Sequence, residues 1–173
     1  MCSEEKESDF MAKEKAVKTN AMRILDTLKI PYEMQAYECD EFVDGVTTAD
    51  KLGLPHELVY KTLVTVAKSK AYYVFVIPIE AELDLKAAAR AVNEKALELL
   101  PLRELTPVTG YVRGGCTAIG MKKAFPTVID ASVEELPYLH VSGGKPGLQL
   151  KLSVEDYLKA SKAKVAEVIV QAE

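Results

Sequence analysis

The chain has 173 residues, of which 49% are hydrophobic and 28% charged, with a formal net charge of −4. That composition is ordinary globular usage and excludes a disordered or collagen-like chain, and the length suffices for one domain burying roughly 70% of its unfolded surface. The acidic balance excludes a protein that coats long nucleic acid, DNA included, but not one that grips a single RNA end through a few local cations.

Residues 1–18 mix Glu, Lys and Ser with little apolar content and read as a flexible lead-in to a domain over 19–173. Thr19-Asn20 can cap a helix over 20–29, in which Met22, Leu25 and Leu28 follow helical spacing and Pro31 prevents continuation. Tyr32 to Tyr37 alternates as a strand, and 38–45 reads as an acidic, mobile loop that contains Phe42. Thr47 or Thr48 then caps a short helix that Gly53 ends. Val59–Ala67 and Tyr72–Ile79 are rich in Val, Ile, Thr and Tyr, and with Lys68–Ala71 between them they read as a β-hairpin whose core is Val64, Val66, Val74 and Val76. Lys61 stands among apolar and aromatic neighbours near the start of the first strand. It is either a lysine on a solvent face whose stem covers apolar surface, or a cation placed for a site.

Asp84 reads as the cap of an alanine-rich helix carrying Leu85, Ala88, Ala89 and Val92, while Leu97–Leu100 fits strand or helix. Pro101 opens a short turn through Leu105 that delivers the chain to Gly110. Thr127–Ala131, Leu139–Ser142 and Leu148–Leu152 read as strands, and Ser153 with Asp156 resembles a capping box for a helix over 154–161. Residues 164–170 close the chain as a strand or a helix. There is no internal repeat and no linker long enough to divide the domain. No apolar run approaches the roughly 20 residues of a membrane helix, and the first residues lack the apolar stretch of a signal peptide, so a cytoplasmic protein without a membrane partner is expected.

The chemistry concentrates in Gly110–Lys123, where four glycines fall within eleven residues. Such a backbone turns tightly or approaches something closely, because glycine adopts left-handed angles without steric cost. Its amides can form an anion-binding nest, with Arg113, Lys122 and Lys123 supplying positive charge; a plain surface turn is the alternative. Ser142–Gly147 is a second glycine-rich loop, which strengthens the site reading. Cys116 could be imagined as a nucleophile with His56 or His140 as its base, but neither histidine sits in a partner motif, and a cysteine among tight turns is usually just small and packable. Three scattered cysteines and two histidines show no ligand spacing, so neither a disulfide framework nor a metal site is expected.

Tyr-Lys-Thr-Leu at 60–63, Val-Ile-Pro at 76–78, Leu-Asp-Leu-Lys-Ala-Ala at 83–88, Gly-Tyr-Val-Arg-Gly-Gly-Cys-Thr-Ala-Ile-Gly at 110–120, Thr-Val-Ile-Asp at 127–130 and Val-Ser-Gly-Gly-Lys at 141–145 form one combination. In order and approximate spacing, from Thr19 to Val170, it resembles the YbaK/EbsC aminoacyl-tRNA deacylases, free-standing relatives of the editing domain inserted in bacterial prolyl-tRNA synthetases. The resemblance implies an α/β (α+β) fold, a single domain with a mixed, curved β-sheet flanked by helices. It also implies hydrolysis of Cys-tRNA(Pro) without a cofactor, with the thiol of the bound cysteine attacking its own ester. Lys61 matches the family's functional lysine, the loop from Gly114 to Gly120, with Gly115 and Gly120 foremost, would supply oxyanion donors, and Tyr37, Phe42, Thr62, Thr117, Ser142 and Gly143 would contact substrate. The implied partners are the acceptor end of an aminoacyl-tRNA and, transiently, prolyl-tRNA synthetase. Deacylation of another small aminoacyl-tRNA, such as Ala-tRNA(Pro), and a non-catalytic binding module are the other readings. Two departures stand out: Ala118 occupies the place of a proline that usually stiffens the loop, and Glu80 follows Ile79 where a small or neutral pocket residue is expected.

Overall fold

The computed structural model describes residues 18–37 and 45–171. The expectations for the lead-in up to residue 17 and for the loop at 38–44, Phe42 included, lie outside the described residues.

The Thr19 hydroxyl accepts the Met22 amide at 3.2 Å and so caps α1 (Asn20–Thr27), whose Ala21, Met22 and Leu25 are buried. Leu28, expected on that apolar face, is instead 48% exposed, because the helix stops at Thr27 and Lys29 turns left-handed. Strand β1 (Glu33–Ala36) follows, and helix α2 (Gly45–Leu52) begins earlier than expected, so that Thr47 and Thr48 lie within it and not at its cap. A Cβ on Gly45 would stand 2.7 Å from Ile79 Cγ2, so the start of α2 lies directly against that side chain, and left-handed Gly53 follows the helix end.

A 3₁₀ turn at His56–Leu58 leads into β2 (Tyr60–Ala67), which pairs with β3 (Tyr72–Pro78) from Tyr60↔Pro78 to Val66↔Tyr72. The hairpin closes through Lys70 in the left-handed region. Val64, Val74 and Val76 are buried as expected, whereas Thr65 takes the buried place expected of Val66 and satisfies its hydroxyl on the Tyr73 carbonyl at 3.1 Å. Asp84 caps α3 (Leu85–Ala91) through the Lys86 and Ala87 amides, and the ambiguous stretch is a strand, β4 (Leu97–Leu99). The turn expected to end at Leu105 is a full helix, α4 (Leu102–Thr109). It continues through Pro107, since proline removes only one amide bond, and ends where the left-handed Gly110 donates to the Thr106 carbonyl. Then come β5 (Thr127–Asp130), a 3₁₀ turn at Ala131–Glu135, β6 (Tyr138–Ser142), β7 (Leu148–Ser153), α5 (Val154–Ser161) capped by Ser153, and β8 (Lys164–Ala166).

The strands form two sheets. One is antiparallel in the order β1-β7-β6, and the other, β4-β2-β3-β5-β8, is mixed, with antiparallel pairing up to β3 and parallel pairing from β3 through β5 to β8. A bridge between Val59 and His140 links them. Because side chains alternate along a strand, β3 serves two cores at once: Val76 joins Met22, Leu25, Leu139, Leu150 and Tyr157, while Phe75 and Ile77 join Ala88, Ala89 and Val128 beneath α3. A third cluster of Ala49, Val59 and Ile79 seats α2.

Two polar groups tie these parts together. The Asp130 carboxylate is buried and accepts the Ser132 amide at 3.0 Å and the Val168 amide at 3.1 Å, holding the C-terminal segment against β5. His56 bonds both Asp50 of α2 (2.7 Å) and Glu80 beyond β3. Glu80 is therefore turned toward His56 at the surface. These bonds, the Glu80 one foremost, raise the His56 pKa above its usual value. The stability His56 contributes is complete below about pH 6.5 and disappears as pH rises through the raised value.

Asp130→Ala leaves one buried and one partly buried amide unpaired and is expected to cost about 3 kcal/mol in urea unfolding, since each bond to a charged group contributes about 1.5–3 kcal/mol. An unchanged urea midpoint would contradict the tether. For His56→Gln, the melting-temperature gap to the wild type should shrink as pH is raised from about 6 to about 9. A gap independent of pH would remove the ionic part of the α2 anchor.

Candidate active site

A cavity of about 440 Å³ opens where the two sheets, α2 and the glycine segment meet. Helix α2 contributes Gly45, Val46 and Thr48, and β2 contributes Tyr60, Lys61 and Thr62. The three-stranded sheet adds Ser142 and Gln149, with Tyr37 just beyond β1, and the glycine segment adds Arg113, Gly114 and Cys116. Its size lies within the range of small-ligand pockets. Among the described residues that line it there are two cations and no carboxylate or histidine.

Of the residues expected from the sequence, Tyr37, Lys61, Thr62 and Ser142 meet in this wall. Lys61 is thus placed among the residues that line the cavity. Gly115, Gly120, Thr117 and Gly143 lie behind the wall, each for a definable reason. The Gly115 amide, expected to be an oxyanion donor, closes a turn onto the Val112 carbonyl at 2.9 Å, and a Cβ there would meet the Lys145 Cα at 2.6 Å. Gly120 is left-handed, its carbonyl accepts from Asn20 Nδ2 at 2.6 Å, and a Cβ would strike the Tyr111 hydroxyl. The Gly143 carbonyl accepts from the Thr19 hydroxyl at 2.5 Å, and Leu148 fills the space a Cβ would need. Thr117 is fully buried. These four shape the wall from outside.

The loop lacks its stiffening proline but is held by other means. The Tyr111 hydroxyl donates to the Ile119 carbonyl at 2.7 Å, and Ala118 packs against the main core beside Ile119. Burial pushes the Cys116 thiol up to about 12, offset only in part by a hydrogen bond with Thr109. A thiol that holds its proton so firmly is a poor nucleophile at neutral pH. His56 is engaged with Asp50 and Glu80, and His140 is buried beside the Tyr138 ring with its pKa lowered, chiefly by desolvation and further by Lys151. Neither lines the cavity.

Sequence reasoning passed over Thr48 and Gln149 as wall residues. Gln149 had a legible signal, an amide in the otherwise apolar start of the strand Leu-Gln-Leu, in register with Ser142 on β6. Thr48 had none, because its orientation depends on where α2 starts.

Comparison with known proteins agrees with this architecture. Residues 43–160 match the aminoacyl-tRNA editing domain. A protein of Enterococcus faecalis (strain ATCC 700802 / V583), named "Putative Cys-tRNA(Pro)/Cys-tRNA(Cys) deacylase EbsC", is 41% identical over 160 residues, covering 91% of this chain and 98% of that one. Two solved structures share the fold. One, titled "Crystal structure of a putative trans-editing enzyme for prolyl tRNA synthetase", has a TM-score of 0.75 at 21% identity over 90% of this chain and 99% of that one. The other, titled "Crystal structure of hypothetical protein APE2540", has a TM-score of 0.79 at 19% identity over 87% of this chain and 99% of that one. The family match and the extent of identity place the chain among the YbaK/EbsC aminoacyl-tRNA deacylases, which are built on the aminoacyl-tRNA editing domain.

Proposed function

We propose that the protein hydrolyses Cys-tRNA(Pro) in trans, using the thiol of the bound cysteine as the nucleophile. The observation that carries this reading is the chemistry of the cavity wall, which among the described residues offers a lysine, an arginine and hydroxyls, but no histidine or carboxylate base. The one thiol in that wall is held protonated. The name of the relative from Enterococcus faecalis supports the choice of substrate.

In the proposed step the substrate sulfur attacks its own carbonyl carbon and the ester bond to the 3′-terminal ribose breaks. The thiol proton passes to the departing ribose oxygen, and water then opens the resulting thiolactone to free cysteine. Attack within one bound molecule gains from proximity, and sulfur is an intrinsically strong nucleophile. Lys61 holds the substrate's anionic or carbonyl oxygen, while Tyr37, Thr62 and Ser142 border the aminoacyl group. A Lys61 contact that strengthens as charge develops on the carbonyl oxygen is worth about 10²–10³ in rate, the scale of one oxyanion donor.

Editing after charging answers a physical limit. A hydrophobic pocket discriminates weakly between amino acids of similar volume, and a hydrolytic second site supplies the missing selectivity. A chemistry that needs the substrate's own thiol is selective for cysteine by construction. It does not by itself separate Cys-tRNA(Pro) from Cys-tRNA(Cys). We therefore propose that prolyl-tRNA synthetase presents the substrate in a transient complex, in the cytoplasm where tRNAs are charged.

Release of amino acid from Cys-tRNA(Pro), Ala-tRNA(Pro) and Ser-tRNA(Pro) is expected for the cysteine ester alone, with Lys61→Ala slowing it about 100-fold or more. Cys116→Ala should keep turnover within about twofold of wild type, because a thiol protonated at neutral pH takes no part in attack. Hydrolysis of the alanine ester at a comparable rate, or loss of turnover in Cys116→Ala with tRNA binding retained, would overturn the mechanism.

A further inference from the structure

We propose that Arg113 anchors a phosphodiester of the tRNA acceptor end, a contact separate from the one made by Lys61. This rests on the deacylase reading above and identifies a residue that reading leaves without a role.

Two cations line the same cavity from unrelated parts of the chain, Lys61 on β2 and Arg113 in the glycine segment, in a protein of net charge −4. The aminoacyl group of the substrate is no partner for a second cation. It carries an ammonium, and its ester is uncharged. The anionic groups of the substrate are its phosphodiesters, and a guanidinium fork suits two phosphate oxygens better than it suits one carbonyl. Arg113 is exposed, whereas Lys61 is half-buried, so the arginine is the cavity cation more open to solvent. There it can meet the nucleotides that precede the terminal adenosine.

The backbone holds Arg113 in place. It sits in a turn closed by the Gly115 amide on the Val112 carbonyl, with Gly114 left-handed at φ 84°. The next residue, Gly115, packs against the Lys145 backbone. The segment's other cations, Lys122 and Lys123, do not line the cavity.

The test compares wild type, Arg113→Gln and Arg113→Lys on two substrates, Cys-tRNA(Pro) and 3′-O-cysteinyl adenosine, which carries no phosphate. Arg113→Gln is expected to raise KM for the tRNA about tenfold, the scale of one charge-assisted hydrogen bond, with kcat within about twofold. Arg113→Lys should recover part of that loss. Hydrolysis of cysteinyl adenosine should be the same in all three proteins, and the salt dependence of KM for the tRNA should be shallower by about 0.7 in log–log slope for Arg113→Gln. Equal losses on both substrates would mean that Arg113 shapes the cavity, and no loss on either would mean that it touches nothing in the substrate. Either result overturns the proposal. Uncharged tRNA(Pro) binding separates the two claims. A wild type that hydrolyses neither ester, yet binds this tRNA about tenfold more tightly than Arg113→Gln does, would sink the hydrolysis reading and retain the anchor.

Discussion

The structure depends on the docking of α1 against two glycine loops. Thr19 uses one hydroxyl twice, accepting the Met22 amide to start the helix and donating to the Gly143 carbonyl, while Asn20 beside it donates to the Gly120 carbonyl. The first two residues of this element therefore fix both loops that frame the cavity. The loops in turn touch each other, Gly115 against Lys145, at a distance that admits no side chain. A helix cap, usually a local stabiliser worth about 1 kcal/mol, here sets the spacing of a site assembled from residues more than a hundred positions apart.

That spacing determines what each glycine does. Gly114 lines the cavity in a left-handed conformation, whereas Gly115, Gly120 and Gly143 keep neighbouring backbones close behind the wall. The pocket is therefore closely packed at its back. The altered loop has its own contacts: Tyr111 is bonded to the Ile119 carbonyl and Ala118 is packed on the core. Chemistry then falls to the wall. Lysine and hydroxyls can bind and polarise an ester, but a protonated Cys116 and histidines that do not line the cavity leave the substrate to provide the nucleophile.

Much of this was legible in the sequence where the rules are local. The Val59–Ile79 hairpin, the Asp84 and Ser153 caps and the left-handed glycine ending α2 each follow from a few adjacent residues, and the structure has them. What the sequence could not reveal depends on partners far along the chain. The burial of Thr65 in place of Val66 is set by strand pairing on both sides of β2. Gly45 of α2 lies against Ile79, far along the chain, and the Gly115 amide looked like a free donor until its bond to Val112 was visible. Glycine spacing announced a site but could not say which glycines face it. Lys61 was ambiguous for the same reason, since a strand position has two faces and only the tertiary fold says which one holds the cavity.

The central claim is that the substrate brings its own nucleophile, and the most direct measurement blocks that group alone. Initial rates would be compared for Cys-tRNA(Pro) and for the same tRNA carrying S-methylcysteine, which differs by one methyl and keeps the ester, the ammonium and the tRNA. The account predicts that the methylated ester binds competitively and is not hydrolysed above the uncatalysed rate. Turnover of the methylated ester at a rate near that of cysteine would contradict it and place the nucleophile on the enzyme or on water.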